Sequence, residues 1–145
     1  MPGLESLVSL HQLVKIGENC YLGPMVKLWA FHRLEIGACT VIGAESSFAN
    51  GSHDPNSLEP SALPLVVGRG CRIGHGVRIV RAVRIGDNAV VEPGAVVTTD
   101  VNEATIVSGV PARTIAQREI SKREYLWGDR WYCPQTFQTY DSSDV

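Results

Sequence analysis

The amino-acid sequence predicts a mainly β domain built as a parallel β-helix, and three observations support this prediction. Aliphatic side chains return every six residues along most of the chain, glycine follows many of them, and a small or β-branched residue lies four positions after most of them. An amphipathic strand alternates every two residues and a helix every 3.6, so neither sustains a period of six. A six-residue period with small residues at the bends is typical of a β-helix, in which each hexapeptide forms one short strand and one turn.

The repeat runs in two blocks separated by an interruption. Its apolar positions are Ile16, Leu22, Leu28 and Leu34, then, after a slip of two residues, Ile36, Ile42 and Phe48, and after the interruption Val67, Ile73, Ile79, Ile85, Val91 and Val97. Three hexapeptides complete one triangular coil, so these side chains are expected to stack inward as a ladder. We expect the β-helix to span residues 1–113, with residues 53–66 forming a loop that leaves the stack.

Composition excludes several classes of protein. A chain of 145 residues can bury the core of one domain, and its net charge of −2 gives no reason to expect a nucleic-acid partner. No apolar run reaches about 18 residues, so no membrane span is expected. The four cysteines form no C-x-x-C pair. This spacing argues against a zinc or redox motif and is typical of the reducing cytoplasm, where we expect the protein to reside.

The C-terminal residues, 114–145, are expected to form a helix and an irregular arm that belong to the same domain. The stretch TIAQREISKREYLW, at 114–127, has a partial apolar side formed by Ile115, Ile120, Leu126 and Trp127. A helix at this position would cover the open end of the coil stack, which otherwise exposes unpaired strands.

The repeat and its ending resemble those of the hexapeptide-repeat acyltransferases, in particular the sugar and xenobiotic O-acetyltransferases. The resemblance covers residues 10–116, and its most specific part is IGDNAVVEPGAVVTTDVNEATIVSGVPARTI at 85–115. It implies a left-handed parallel β-helix and a homotrimer with active sites between subunits. It also implies transfer of an acetyl group from acetyl-CoA to a hydroxyl acceptor, which we expect to be a sugar in a small molecule or glycan.

His53 is the candidate catalytic residue. It follows Ser52 at the start of the interrupting loop. Transfer of an acetyl group to a hydroxyl needs a base, and an imidazole titrates near neutral pH. In the acetyltransferases that this chain resembles, a histidine at the start of such a loop has that role. Asn50 and Asp54 are candidates for orienting the ring or the acceptor.

The resemblance also implies where acetyl-CoA binds. The candidate contacts are Gly74, His75, Pro93, Gly94, Thr98, Thr99 and Arg113. His75 stands where the family usually has a small residue, Arg81 and Ala82 where it has Pro-Gly, and Arg72 where tryptophan is common. These departures leave open whether His75 and the arginines between 69 and 84 assist binding or mark a loss of activity.

Two alternatives therefore remain. The departures favour a non-catalytic β-helix scaffold or binding subunit. The γ-class carbonic anhydrases share the fold and bind zinc through three histidines, two of them five residues apart. Here Val80 lies five residues after His75. His53 and His75 would supply two ligands at most, whereas a catalytic zinc needs three. No metal is expected.

Overall fold

The computed structural model describes residues 13–119. Its strands in chain order are β1 (Val14–Ile16), β2 (Tyr21–Leu22), β3 (Lys27–Trp29), β4 (Leu34–Ile36), β5 (Val41–Ile42), β6 (Ser47–Ala49), β7 (Gly51–His53), β8 (Pro60–Ala62), β9 (Leu65–Val67), β10 (Arg72–Ile73), β11 (Arg78–Ile79), β12 (Arg84–Ile85), β13 (Val90–Val91), β14 (Val96–Val97), β15 (Thr105–Ser108) and β16 (Arg113–Gln117). Most are two or three residues long, as expected when each hexapeptide supplies one strand and one turn.

Three parallel sheets form the faces of a triangular prism. Face A has the order β1-β4-β9-β12, face B contains β2-β5-β10-β13-β15, and face C has the order β3-β6-β11-β14. Successive strands along the chain lie on successive faces, so coil 1 is β1–β3, coil 2 is β4–β6, coil 3 is β9–β11 and coil 4 is β12–β14. The turns between the strands form the three edges of the prism. Corner AB leads from face A to face B, corner BC leads from face B to face C, and corner CA leads from face C to face A of the next coil. The predicted β-helix is confirmed.

The predicted ladder fills the interior of the prism. Within a sheet, residues at equivalent positions pair in register, as Ile42, Ile73 and Val91 do on face B. From coil 2 onward the ladder residues are at most 2% exposed: Leu34, Ile36, Ile42, Phe48, Val67, Ile73, Ile79, Ile85, Val91 and Val97. Ile16 is 46% exposed, because coil 1 is the outermost coil within residues 13–119.

Small polar side chains link successive coils inside corner AB. The Cys20 thiol donates to the carbonyl of Gly37 at 3.1 Å, and the Cys71 thiol donates to the carbonyl of Gly86 at 3.1 Å. Thr40 makes the equivalent bond with its hydroxyl. Burial raises the pKa of the Cys71 thiol to about 12. Cys20 and Cys71 are therefore structural residues of the stack, and Cys71 is not an activated nucleophile.

The chain leaves the main repeat through a strand and not through a helix. β16 pairs antiparallel with β15, with Ser108 opposite Arg113 and Thr105 opposite Gln117. The predicted start of a helix at residue 114 is therefore wrong. Backbone pairing that covers the free edge of face B outweighs a weak helical pattern, and Ile115 is 63% exposed. The rest of that predicted helix and the arm lie outside the described residues.

Within 13–119 no helix has the length and apolarity to cross a membrane.

A β-hairpin interrupts the stack at corner CA of coil 2. Its strands β7 and β8 are antiparallel, and the hairpin closes where the N–H of Leu63 donates to the carbonyl of Asn50 at 3.3 Å. Leu65 is fully buried and already belongs to face A. The excursion thus begins at Gly51 and ends before Leu65, slightly earlier in the sequence than the predicted loop at 53–66.

Candidate active site

His53 lies on the first strand of the hairpin, exposed to solvent. It is paired with Pro60 across the hairpin, and Gly51 is paired with Ala62. Side chains two residues apart on a strand point to the same face, so His53 shares its face of the hairpin with positions 51, 60 and 62. Among the described residues none is hydrogen-bonded to the imidazole, which leaves the ring nitrogens available to a ligand.

Phe31, at corner CA of coil 1, packs against Gly51. A Cβ atom at Gly51 would lie 2.6 Å from Cδ2 of Phe31 and 2.8 Å from its Cγ. The phenyl ring therefore occupies the space into which a side chain at 51 would point, on the same face as His53. A cavity of about 550 Å³ opens there, lined within the described residues by Phe31, Gly51, Ser52, His53, Pro60, Ser61 and Ala62. This volume is in the range typical of small-molecule sites.

Asn50 holds the base of this cavity together. Its side chain is 3% exposed. The Oδ1 atom accepts the N–H groups of Phe31 at 2.9 Å and His32 at 3.3 Å, while Nδ2 donates to the carbonyls of His32 at 2.8 Å and Arg33 at 3.2 Å. These four bonds use the full hydrogen-bonding capacity of an amide. Asn50 thus fixes corner CA of coil 1 to the hairpin. Its amide has no hydrogen bond left to make with an acetyl-acceptor substrate.

Asp54 stabilises the turn at the tip of the hairpin. One carboxylate oxygen accepts the N–H groups of Asn56 and Ser57, both at 2.8 Å. These bonds hold the pKa of Asp54 below its usual value. The arrangement is an Asx turn that shapes the loop directly after His53.

Four of the predicted acetyl-CoA contacts come together at corner BC. The N–H of Gly94 donates to the carbonyl of His75 at 2.9 Å, and a Cβ at Gly74 would lie 2.6 Å from the nitrogen of Pro93. Gly74 and His75 in coil 3 therefore stack directly on Pro93 and Gly94 in coil 4. The exposed His75 ring is fixed by a further bond, in which the N–H of Ala44 donates to its Nδ1 at 2.9 Å.

One position of corner BC is occupied by glycine in both coil 3 and coil 4. Gly76 and Gly94 adopt φ values of +63° and +75°, and a Cβ at either would meet no atom within 4 Å. The equivalent positions in coils 1 and 2 are Met25 and Glu45, with φ of 61° and 63°. Since these residues tolerate the same backbone conformation, it does not by itself require glycine at 76 and 94. The glycines instead leave open space along this edge.

The remaining predicted contacts lie elsewhere. Thr98 and Thr99 lie at corner CA of coil 4, separated from Gly94 by β14 of face C. Arg113 is exposed on β16, where its Nη1 donates to the carbonyl of Ala112 at 3.1 Å. The predicted set is therefore divided among two edges and the end of the stack.

The arginines of coils 3 and 4 are dispersed around the prism. Arg72, Arg78 and Arg84 lie on faces B, C and A, respectively, and each is exposed. In the described part of the chain no group of three His, Cys, Asp or Glu side chains is placed to hold a metal ion.

Known proteins share the repeat and the sequence of this chain. Residues 64–99 match the family model of the bacterial transferase hexapeptide (six repeats). WcaF of Escherichia coli K12, a protein named for acetyl transfer in colanic acid biosynthesis, is 31% identical over 105 residues, which cover 71% of this chain and 58% of WcaF. The galactoside O-acetyltransferase of the same strain is 29% identical over 116 residues, which cover 77% of this chain and 56% of that protein.

A solved structure shows the same fold. The crystal structure of a hexapeptide-repeat-containing acetyltransferase from Vibrio cholerae O1 biovar eltor, complexed with acetyl coenzyme A, matches with a TM-score of 0.72 and 28% identity. The match covers 75% of this chain and 62% of that one. The chain thus spans somewhat more than half the length of these relatives. Its repeat, its fold and these matches make the chain similar to the hexapeptide-repeat acetyltransferases, and its fold is the left-handed β-helix.

Proposed function

We propose that this protein is an acetyl-CoA-dependent acetyltransferase that acetylates a hydroxyl group of a sugar, with His53 as the general base. The observation that carries the proposal is the exposed imidazole of His53 in a cavity of about 550 Å³, on a hairpin that leaves a hexapeptide-repeat scaffold. The acetyltransferases among its relatives, including the one complexed with acetyl coenzyme A, support the reaction class.

The reaction proceeds by direct transfer. His53 accepts the proton of the acceptor hydroxyl as its oxygen attacks the carbonyl carbon of the thioester. The bond between that carbon and sulfur then breaks, and the coenzyme A thiolate leaves and takes the proton from the imidazolium. Cys71 is not needed as a nucleophile, since it is buried and its thiol has a pKa of about 12.

The donor binds along corner BC of coils 3 and 4. The open space beside Gly76 and Gly94 admits a linear pantetheine arm close to the backbone. His75 adds a hydrogen-bond donor, because its Nδ1 already accepts the N–H of Ala44 and the neutral ring therefore carries its proton on Nε2.

The active site is completed between subunits of a homotrimer. Within one chain His53 lies at corner CA and His75 at corner BC, and the strands of face C separate them. One copy therefore supplies the base and a neighbouring copy supplies the groove for acetyl-CoA. The mass in solution, measured by sedimentation, should be that of three chains. We place the protein in the cytoplasm, where acetyl-CoA is available.

Calorimetry with acetyl-CoA, followed by measurement of thiol release with sugar acceptors, tests this proposal. His53→Ala should lower kcat by about 100-fold or more while leaving acetyl-CoA binding intact, and added imidazole should restore part of the activity. Unchanged turnover in His53→Ala would show that another group is the base. Failure of the wild-type protein to bind acetyl-CoA at millimolar concentration would favour a non-catalytic scaffold, and stoichiometric zinc in the purified protein would favour a carbonic anhydrase.

A further inference from the structure

We infer that Phe31 is a stacking platform for the acceptor and that it selects an uncharged pyranose ring. This inference rests on the proposed acetyl transfer and adds to it the part of the acceptor that the protein recognises. It assigns a binding role to an aromatic residue from coil 1, whereas the base lies on the hairpin that follows coil 2.

The ring of Phe31 and the imidazole of His53 lie on one side of the hairpin. The space that a Cβ at Gly51 would need is taken by the phenyl ring, with Cδ2 at 2.6 Å. Because His53 is two residues further along the same strand, its side chain leaves the hairpin on that same side. The absence of a side chain at Gly51 therefore lets an aromatic surface approach the base.

The chemistry of the cavity fits a sugar ring. Phe31, Pro60 and Ala62 are apolar, and the polar residues of the lining are His53, Ser52 and Ser61. A pyranose has a flat face of C–H groups and a rim of hydroxyls, so it needs an aromatic or apolar surface beside a few polar groups.

The charge of the lining within one chain favours one class of sugar over another. Within the described residues, His53 is the single titratable side chain of the cavity lining, which includes no lysine, arginine, aspartate or glutamate. A sugar phosphate or a sugar carboxylate would find no lysine or arginine of the same chain in this lining to pair with. The lining therefore favours an uncharged pyranose at this position.

Phe31 is also held in place before any ligand arrives. Its N–H donates to the buried Oδ1 of Asn50 at 2.9 Å, and the same amide donates to the carbonyls of His32 and Arg33. Asn50 directly precedes β7, which carries His53. The backbone of Phe31 and the strand that carries the base are thus linked through one buried side chain, an arrangement that lowers the entropic cost of binding.

The test uses methyl β-D-glucopyranoside and methyl β-D-galactopyranoside as acceptors, each compared with its ring-opened alditol, glucitol or galactitol. The alditols keep the hydroxyls but have no ring face. With the wild-type protein we expect acetyl-CoA-dependent thiol release with at least one glycoside, and about tenfold or more lower kcat/KM with its alditol. Phe31→Ala should raise the glycoside KM by about tenfold and leave the acetyl-CoA KM unchanged, and Phe31→Trp should retain binding.

Further variants separate stacking from folding. Phe31→Leu keeps an apolar side chain against Gly51 but removes the aromatic ring, so it should fold like the wild type and lose glycoside affinity as Phe31→Ala does. Trp29→Ala is the matched control, because Trp29 is 56% exposed and does not line the cavity. It should leave the glycoside KM unchanged.

Several outcomes would overturn the inference. An unchanged glycoside KM in Phe31→Leu, equal use of alditols and glycosides, or preference for a sugar phosphate would each exclude stacking. Loss of the oligomer in Phe31→Ala would make the ring a subunit contact. If the wild-type protein does not bind acetyl-CoA, the proposed function fails by itself. Saturation-transfer NMR of the methyl glycosides with wild-type and Phe31→Leu protein still decides whether the platform exists.

Discussion

The backbone N–H of Ala44 donates to Nδ1 of His75 over 2.9 Å, which joins corner BC of coil 2 to the same corner of coil 3. The bond fixes both the orientation of an exposed ring and its tautomer, because a nitrogen that accepts a hydrogen bond does not carry the proton. The histidine that stands where the family usually has a small residue is therefore ordered on the edge proposed for acetyl-CoA.

We predict that His75→Ala lowers the free energy of unfolding by about 1 kcal/mol, because the N–H of Ala44 loses its partner. His75→Asn should restore most of this loss, since an asparagine Oδ1 can take the place of Nδ1. Urea unfolding measures both variants. Equal stability of the alanine and asparagine variants would show that the bond contributes nothing. Nitrogen-15 NMR should find the neutral ring of the wild type protonated at Nε2.

Gly74 and Gly76 should respond oppositely to substitution, although they are neighbours on corner BC. In Gly74→Ala the new Cβ would lie 2.6 Å from the nitrogen of Pro93, so we expect a large loss of thermal stability. In Gly76→Asn the side chain enters open space, and asparagine tolerates the positive φ. That variant should fold nearly as well as the wild type and bind acetyl-CoA about tenfold more weakly.

Thermal unfolding and calorimetry with acetyl-CoA distinguish the two effects. Unchanged acetyl-CoA affinity in a well-folded Gly76→Asn protein would place the donor away from this edge. Full stability of Gly74→Ala would mean that coils 3 and 4 can separate locally at corner BC.

The ladder could be predicted from sequence because its signal is local and repeated. Ile42, Ile73 and Val91 occur at the same place in successive coils, and each is at most 1% exposed. The position of His53 was also predictable, since an interruption of a regular period marks where the chain leaves the stack. The six-residue period alone thus predicts the coils and the position of the hairpin in the sequence.

Contacts between distant residues could not be predicted in this way. Asn50 bonds to backbone groups 17 to 19 residues earlier, and this depends on how coil 1 turns at corner CA. Phe31 reaches the cavity through the same turn, so its aromatic character was the sole signal in the sequence. The strand at Arg113–Gln117 depends on a free edge that exists only once face B has formed.

Asn50 should contribute to the stability of the fold. Asn50→Ala leaves two N–H groups and two carbonyls without their partner, so we expect the free energy of unfolding to fall by about 1–3 kcal/mol. Asn50→Asp keeps the acceptor but loses the donor and buries a carboxyl group, so it should also destabilise the fold. Urea unfolding of the two variants checks this. A stable Asn50→Ala protein would show that the four bonds are replaced by water.

Cys71 should make the free energy of unfolding fall as the pH becomes alkaline. Burial raises the pKa of its thiol from 9.0 to about 12, so the folded state keeps the proton after the unfolded chain has released it. The stabilisation is fully present below pH 9 and is lost as the pH rises toward 12, with a slope of at most about 1.4 kcal/mol per pH unit. Cys71→Ala should remove this component, and it should fit the stack because Ala89 occupies the equivalent buried place in coil 4. Urea unfolding of both proteins between pH 8 and about 11, with reductant present, measures the difference. Parallel curves for the two proteins would mean that the thiol is reached by water in the folded state.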